Sequence, residues 1–357
     1  MTADQGERAQ ASVRELSRLP LVVAPMAGGP STPELVIAAG QAGALGFLAA
    51  GYKDAAAMSA EIAAVREASA APFGVNVFVP QPSAADPAQL DAYAAELAGD
   101  ARRLGVSTGE PRWDDDDYQA KIAALLTARP AVVSFTFGCP AAEVLAEFRA
   151  RSVLPAVTVT TPQEAVAAVQ AGAGCLCAQG FEAGAHRGSF GNDDQPGQDY
   201  GLLALLGEIS RAAPGVPVIA SGGIGGPRGV AAALAAGAAA VQLGTIFLRC
   251  PEAGTRPAHR AALADPRFTA TAVTRAFTGR RARGLVNAFM LEHQHAPAAY
   301  PQLHYLTSPL RAAAATAGDT DRLHLWAGQA YRSAAERPAG EIIKQLAQGV
   351  PGGRTPG

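Results

Sequence analysis

The stretch Ala178-Gln179-Gly180-Phe181-Glu182-Ala183-Gly184-Ala185-His186-Arg187-Gly188 decides how this chain is read. An apolar run at 174–178 ends at Gln179 and hands over to a glycine-hinged loop. Within nine residues that loop carries a Gln, a Glu, a His and an Arg. Small residues let backbone N–H groups approach a ligand closely, and His is the side chain whose ordinary pKa lies near neutrality. The design recurs at Ala220-Ser221-Gly222-Gly223 and at Gln242-Leu243-Gly244-Thr245. Three strand ends of this kind imply one phosphate-bearing ligand at one rim of a parallel barrel.

Outward from this loop, eight short apolar runs alternate with helix-like segments: 21–24, 45–49, 73–79, 131–137, 154–159, 174–178, 216–220 and 239–247. They are nearly continuous in Val, Leu, Ile, Phe and Ala, the pattern of strands buried on both faces. Thr32-Pro33-Glu34 and Thr161-Pro162-Gln163-Glu164 set a cap and a first-turn Pro at two helix starts. Eight β-then-α units in 357 residues predict an α/β fold, a closed (β/α)8 TIM barrel. An open doubly wound sheet fits the periodicity as well. Gly and polar residues spread evenly after the strands favour the barrel, whose active face draws on many loops.

The expected organisation is an N-terminal tail at 1–18 and a barrel at 19–256, with an inserted segment after the third strand at 80–130. A helical C-terminal extension at 257–348 should pack on the barrel and roof the site, followed by a flexible tail at 349–357. Helix is predicted at 90–104 in the insertion and at 257–264, 308–317 and 321–336 in the extension. The ends, 1–10 and 349–357, are expected to fray.

Composition narrows the function. The chain has material for one large α/β domain or two ordinary ones. With 29 basic and 31 acidic residues and no Lys/Arg block, neither nucleic acid nor an anionic membrane is the expected partner. Four cysteines make no disulfide framework and point to a reducing compartment. Residues 1–10 are polar where a signal peptide needs an apolar core, and the run 230–241 is Ala-rich and broken by glycine. A cytoplasmic location is expected.

His186, between Gly184 and Gly188, reads as a site acid/base or an anion-holding imidazole. The plainer alternative is a loop histidine that only hydrogen-bonds backbone. Ser221-Gly222-Gly223-Ile224-Gly225-Gly226 precedes a helix begun by Pro227 at 228–236. Its glycines expose N–H groups at a helix N-terminus, which suits a phosphate. Gly244-Thr245 adds a second turn with a hydroxyl donor, after the eighth run. Turn chemistry alone would explain either cluster; the two together predict phosphate binding. The dinucleotide fingerprint fails, since Gly223-Ile224-Gly225 is followed by Gly226-Pro227-Arg228. No metal site is expected. Cys139 and Cys250 lack a C-x-x-C partner, Cys175 and Cys177 read as buried thiols, and His293-Gln294-His295 has no third His in helical register. Asp114-Asp115-Asp116-Asp117 reads as a solvated loop or helix start, and no Ser-His-Asp or G-x-S-x-G pattern is present.

Several stretches resemble motifs of the nitronate monooxygenases, formerly called 2-nitropropane dioxygenases. They are Ala24-Pro25-Met26-Ala27-Gly28, Phe73-Gly74-Val75-Asn76-Val77-Phe78, Ser134-Phe135-Thr136-Phe137-Gly138, the loop 179–188, and 220–224 with 242–247. Thr278-Gly279-Arg280, Arg283-Gly284, Ala299-Tyr300-Pro301, Leu310-Arg311 and Leu325-Trp326-Ala327-Gly328-Gln329 extend the resemblance to the bacterial-type branch. It covers about 19–331. The resemblance implies an FMN-dependent (β/α)8 barrel with cofactor contacts from Met26, Asn76, Gln179, Gly184, Gly222, Gly223, Gln242, Leu243, Gly244 and Thr245.

By the same resemblance His186 lies beside the flavin's reactive edge. There it orients nitronate oxygens as a donor or, when neutral, takes the α-proton of a nitroalkane. Thr136 stands where some relatives carry a second His, and Ala185 where the family loop often has Gly. Thr136 and Tyr300 are the substrate-pocket candidates, Tyr300 as a lid residue. The implied reaction is oxidation of an alkyl nitronate, for example propionate 3-nitronate, by O2 to a carbonyl compound and nitrite through a flavin semiquinone. The implied partners are a small anionic nitronate and O2, with no nucleic acid and no membrane, and a homodimer is allowed. Two alternatives stay open: an FMN- and NADH-dependent enoyl-acyl-carrier-protein reductase, against which the tail motifs speak, and an FMN-binding protein without turnover.

Overall fold

The computed structural model describes residues 13–82, 85–193 and 197–352. Strands β1 (Leu21–Val23), β2 (Leu45–Ala49), β3 (Phe73–Phe78), β4 (Val132–Thr136), β5 (Leu154–Val159) and β6 (Cys175–Gln179) pair in parallel in that order. The short β7 (Ala185–His186) leaves the barrel, and β8 (Val218–Ser221) and β9 (Ala240–Leu243) complete it. Closure is explicit in the register, because Val22 of β1 lies beside Leu45 on one side and Gln242 on the other. That pairing removes the open-sheet alternative.

One face of each strand meets the barrel interior and the other meets helices, which is why the runs are apolar without alternation. Residues near the strand starts, among them Val22, Leu45, Phe47, Val132, Leu154, Cys175 and Ile219, fill the N-terminal end of the barrel, with Val13 packed into the same cluster. A Cβ at Gly74 would overlap the Phe47 ring, so glycine there makes room for the large side chain. Thr32 and Thr161 both cap their helices, accepting from Leu35 N and Glu164 N.

Several details differ from the sequence reading. The last apolar run stops as a strand at Leu243, and Thr245–Phe247 turns into a 3-10 helix that shapes the rim. The helix expected at 90–104 is two, Pro87–Glu96 and Ala98–Leu104. That expected at 308–317 begins earlier, as Gln302–Ala317, and contains Pro309. Pro309 has no N–H for the Tyr305 carbonyl. At this loosened turn Gly109 of the insertion docks, its N–H donating to Leu306 O at 2.8 Å.

The helix expected at 321–336 is absent. Leu285 N donates to Leu325 O and Ala327 N to Arg283 O, so this segment runs extended, bridged at Gly284 and Trp326, before a 3-10 turn at Tyr331–Ser333. Backbone pairing with a neighbouring strand outweighs its helical pattern. That neighbour is β11 (Ala282–Leu285), which also pairs with β10 (Thr271–Thr274) and with β7. The extension thus holds the His186 loop as a strand of its own small sheet, through the pairs Ala282–His186 and Arg283–Ala185.

The acidic tetrad does stand at a helix start, with Asp117 at the N-cap of Tyr118–Ala128, but Asp116 is not simply solvated. Asp116 pairs at 2.7 Å with Lys121, whose side chain is only 1% exposed, and burial pushes its carboxyl up to about 6 against the pull of Lys121. The fraying expected at 1–10 and at 353–357 falls outside the described residues. Among the described residues no helix is long and apolar enough to cross a membrane.

Candidate active site

One cavity of about 380 Å³ opens at the C-terminal ends of the barrel strands, the rim where such barrels carry their sites. Its floor is a ring of polar side chains at strand ends: Asn76, Thr136, Thr158, Gln179, Ser221 and Gln242. Five of these six are hydrogen-bonded in two groups, Asn76 with Thr136 and Thr158, and Gln242 with Ser221. Asn76 Nδ2 donates to Ser134 Oγ at 2.9 Å and to Thr136 Oγ1 at 3.0 Å, Thr136 and Thr158 share a hydroxyl contact of 3.2 Å, and Gln242 Nε2 donates to Ser221 Oγ at 3.2 Å.

Backbone makes the next wall. Gly222 (φ +113°) and Gly223 (φ +70°) both sit in left-handed backbone, just ahead of the helix Pro227–Ala235. A Cβ at Gly223 would come 2.9 Å from Glu182 Cβ, so glycine is required there by conformation and by space. Across the rim, Gly244 and Thr245 line the same cavity beside Met26 and Leu243. Thr245 Oγ1 accepts from Gly328 N at 3.0 Å, which ties the extension to the rim. Gly184 has no room for a Cβ because the Ala327–Gly328 backbone passes over it. The donor set fits FMN: glycine N–H groups near a helix N-terminus suit the phosphate, and the amide-lined floor suits a flat polar ring.

Of the polar residues in the deciding loop, His186 is the one that faces this cavity with a free edge. Glu182 accepts from Leu202 N at 3.1 Å, and Arg187 donates to the carbonyls of Gln179, Thr160 and Gln198. Gln179 lines the cavity, but its amide is committed, Nε2 to His186 O at 3.0 Å and Oε1 from Gly188 N at 2.8 Å. It therefore fixes the His186 loop. Ala185 takes φ +62° to turn His186 inward.

His186 Nε2 lies 2.9 Å from Thr278 Oγ1. A hydroxyl donates or accepts, so Thr278 supports either neutral tautomer and leaves Nδ1 for the cavity. Phe137, Tyr300 and Trp326 surround the imidazole at ring-centre distances of 5.6–5.8 Å. Its exposure is to the cavity. Burial, then Arg280 and Arg311, lower it to about 3, so it is neutral through the physiological range. Arg280 sits 4.1 Å over the Phe137 ring, donates to the Arg187 and Gly191 carbonyls, and has no carboxylate partner among the described residues.

Both substrate candidates are here. Thr136 is part of the floor. Tyr300 backs His186 and donates to the Tyr52 hydroxyl at 3.3 Å, with Tyr52 lining the cavity. Sequence reasoning assigned no role to Tyr52, Thr278, His304, Arg311 or Trp326. Tyr52 was findable, since it follows the end of β2 on the active rim. Elsewhere, Asp100, Glu292 and His293 lie close enough to share an ion. Arg322 already bridges them, however, 2.6 Å from Asp100 and 2.8 Å from Glu292, which makes the group an ion-pair network.

A family model described as nitronate monooxygenase matches residues 12–349. The nitronate monooxygenase of Pseudomonas aeruginosa is 38% identical over 344 residues, covering 93% of this chain and 96% of the relative. A probable nitronate monooxygenase of Staphylococcus aureus strain Newman is 35% identical over 331 residues, covering 92% and 93%. Among solved structures, the nitroalkane oxidase from Streptomyces ansochromogenes superposes with TM-score 0.90 at 50% identity, over 94% of this chain and 97% of that one. FabK from Thermotoga maritima superposes with TM-score 0.71 at 26% identity, over 94% of each chain.

Proposed function

The chain belongs to the nitronate monooxygenase family and is an oxidoreductase, and on that premise we propose that it oxidises alkyl nitronates with FMN and O2, yielding a carbonyl compound and nitrite. One observation carries the reading: a glycine-built phosphate cradle and a neutral histidine open into the same cavity, whose described lining contains no Asp or Glu. Gly222, Gly223, Gly244 and Thr245 would hold the phosphate, while Asn76, Gln242 and Met26 would face the ring. FMN, when bound, supplies the redox chemistry.

The chain's own residues supply orientation and charge. Arg280 and Arg311 give the site a positive potential that favours an anion over a neutral ligand. The same two cations make His186 reluctant to take up a proton. That favours binding a preformed nitronate, with Nδ1–H donating to a nitronate oxygen, over abstraction of an α-proton from a nitroalkane. Phe137, Tyr300 and Trp326 exclude water around the imidazole. We place the protein in the cytoplasm, in keeping with four free cysteines, three of them buried.

Anaerobic titration of the purified yellow protein tests this. A nitronate should reduce the flavin and NADH should leave it oxidised. Bleaching by NADH alone would favour a reductase, and a colourless protein that FMN fails to reconstitute would remove the proposal altogether.

A further inference from the structure

Four of the six histidines in the chain, His186, His259, His304 and His324, line the cavity together with Arg256 and Arg311. No acidic residue joins them among the described lining, although the whole chain carries 31 acidic against 29 basic residues. All but His186 and Arg256 come from the extension.

Arg311 is the centre of this group. Its Nε donates to Thr307 Oγ1 at 3.1 Å, and its Nη2 donates to His304 O at 2.7 Å and lies 3.3 Å from His304 Nδ1. Nη1 has no hydrogen bond and the guanidinium no carboxylate partner among the described residues. Asp116, which Tyr52 and Tyr300 also feel, is already paired with Lys121 at 2.7 Å. A buried cation without a counter-ion is costly unless a ligand supplies one.

His304 completes the geometry. Its Nδ1 accepts from Arg311, and burial beside Arg311 holds the ring well below its ordinary pKa, so it is neutral with its proton on Nε2. The ring lies flat on Tyr52, with centres 4.4 Å apart and planes 2° from parallel, which fixes its direction. His324 adds a buried Nδ1 that has no hydrogen-bond partner among the described residues.

We propose that Arg311 and His304 form a second oxyanion subsite that takes a carboxylate at the far end of a short nitronate substrate. The inference rests on the nitronate reading for the group at His186. His304 and Arg311 line the same cavity of about 380 Å³ as His186.

The test compares propionate 3-nitronate with propane 1-nitronate, which differ only in carboxylate against methyl. The wild-type protein should prefer the former in kcat/KM, chiefly through KM. Arg311→Met should lower that preference by about 10- to 100-fold, the scale of a lost hydrogen bond to a charged group. Arg311→Lys, which keeps the charge, should restore part of it. A purely structural role for Arg311 would depress both substrates alike. Equal use of the two nitronates by the wild-type protein would overturn the subsite without recourse to any variant. Calorimetric binding of propionate, which carries no nitro group, separates the two readings. Propionate binding lost in Arg311→Met, in a protein that turns over no nitronate, would leave the subsite standing and the nitronate reaction refuted. No propionate binding to the wild-type protein would overturn the subsite alone.

Discussion

The cavity has two walls of opposite construction. On the barrel side, Gly222, Gly223, Gly244 and Thr245 line the cavity with backbone at strand ends, and left-handed conformation at Gly222 and Gly223 demands glycine. On the extension side, His259, His304, Arg311 and His324 present side chains, and any backbone that aims them would serve. A backbone surface tolerates no added Cβ, whereas a side-chain surface can be retuned one charge at a time. The first wall suits an invariant ligand such as a cofactor, the second a substrate that defines specificity.

The largest effect should come from breaking the backbone wall. Gly223→Val puts a β-branched residue at φ +70° and its Cβ 2.9 Å from Glu182 Cβ, and we expect FMN retention to fall by about 10- to 100-fold, since left-handed strain costs on the order of 1–3 kcal/mol. A yellow, stoichiometrically loaded variant would break the comparison. Next, His186→Asn should leave the flavin spectrum intact and cut nitronate turnover by about 10²-fold, the scale of a positioned polar group. Full activity in that variant would mean that the histidine only braces the loop.

Acidification sharpens the contrast because it acts on the side-chain wall. Folding lowers His186 to about 3 and His259 to about 4, from 6.5. Below pH 6.5 the unfolded chain therefore binds protons that the folded one refuses, and stability is lost as pH falls. Asp116 opposes this in part, because its folded value is raised to about 6 and its protonated form favours the native state. Two histidines with resolved values outweigh one carboxyl, and His304 and His324 shift the same way. We expect Tm to drop by roughly several degrees between pH 7 and pH 5; a Tm that rises would reverse the assignment of neutral histidines. The nitronate reaction, for its part, should show no ionisation of His186 between pH 5 and pH 9. The smallest effect is expected at Ala185, held at φ +62°. Ala185→Gly should relieve that strain and raise stability by less than about 1 kcal/mol after the entropy cost of glycine, as read by thermal unfolding.

Legibility in the sequence followed the same division. The eight strands and the glycine turn after β8 were readable because burial on both faces and positive φ each demand particular residues at particular spacing. Arg311 and His304 were not readable, since a helical Arg and His look alike whether they face solvent or a pocket. Trp326 was misread along with its segment, because the partner that makes it extended, Gly284, lies forty residues earlier in the chain. The tetrad's helix start was legible, but the pairing of Asp116 was not, because its partner Lys121 is buried only by the fold.

The contact between Gly109 and the turn opened by Pro309 has a further consequence. Gly109 acts as a strut under the helix that carries His304 and Arg311, although no described residue of its segment lines the cavity. A chimaera that imports this helix from a relative without the matching strut would inherit the charges but not their aim. Selectivity would then have to be transplanted as two distant pieces of chain, not one.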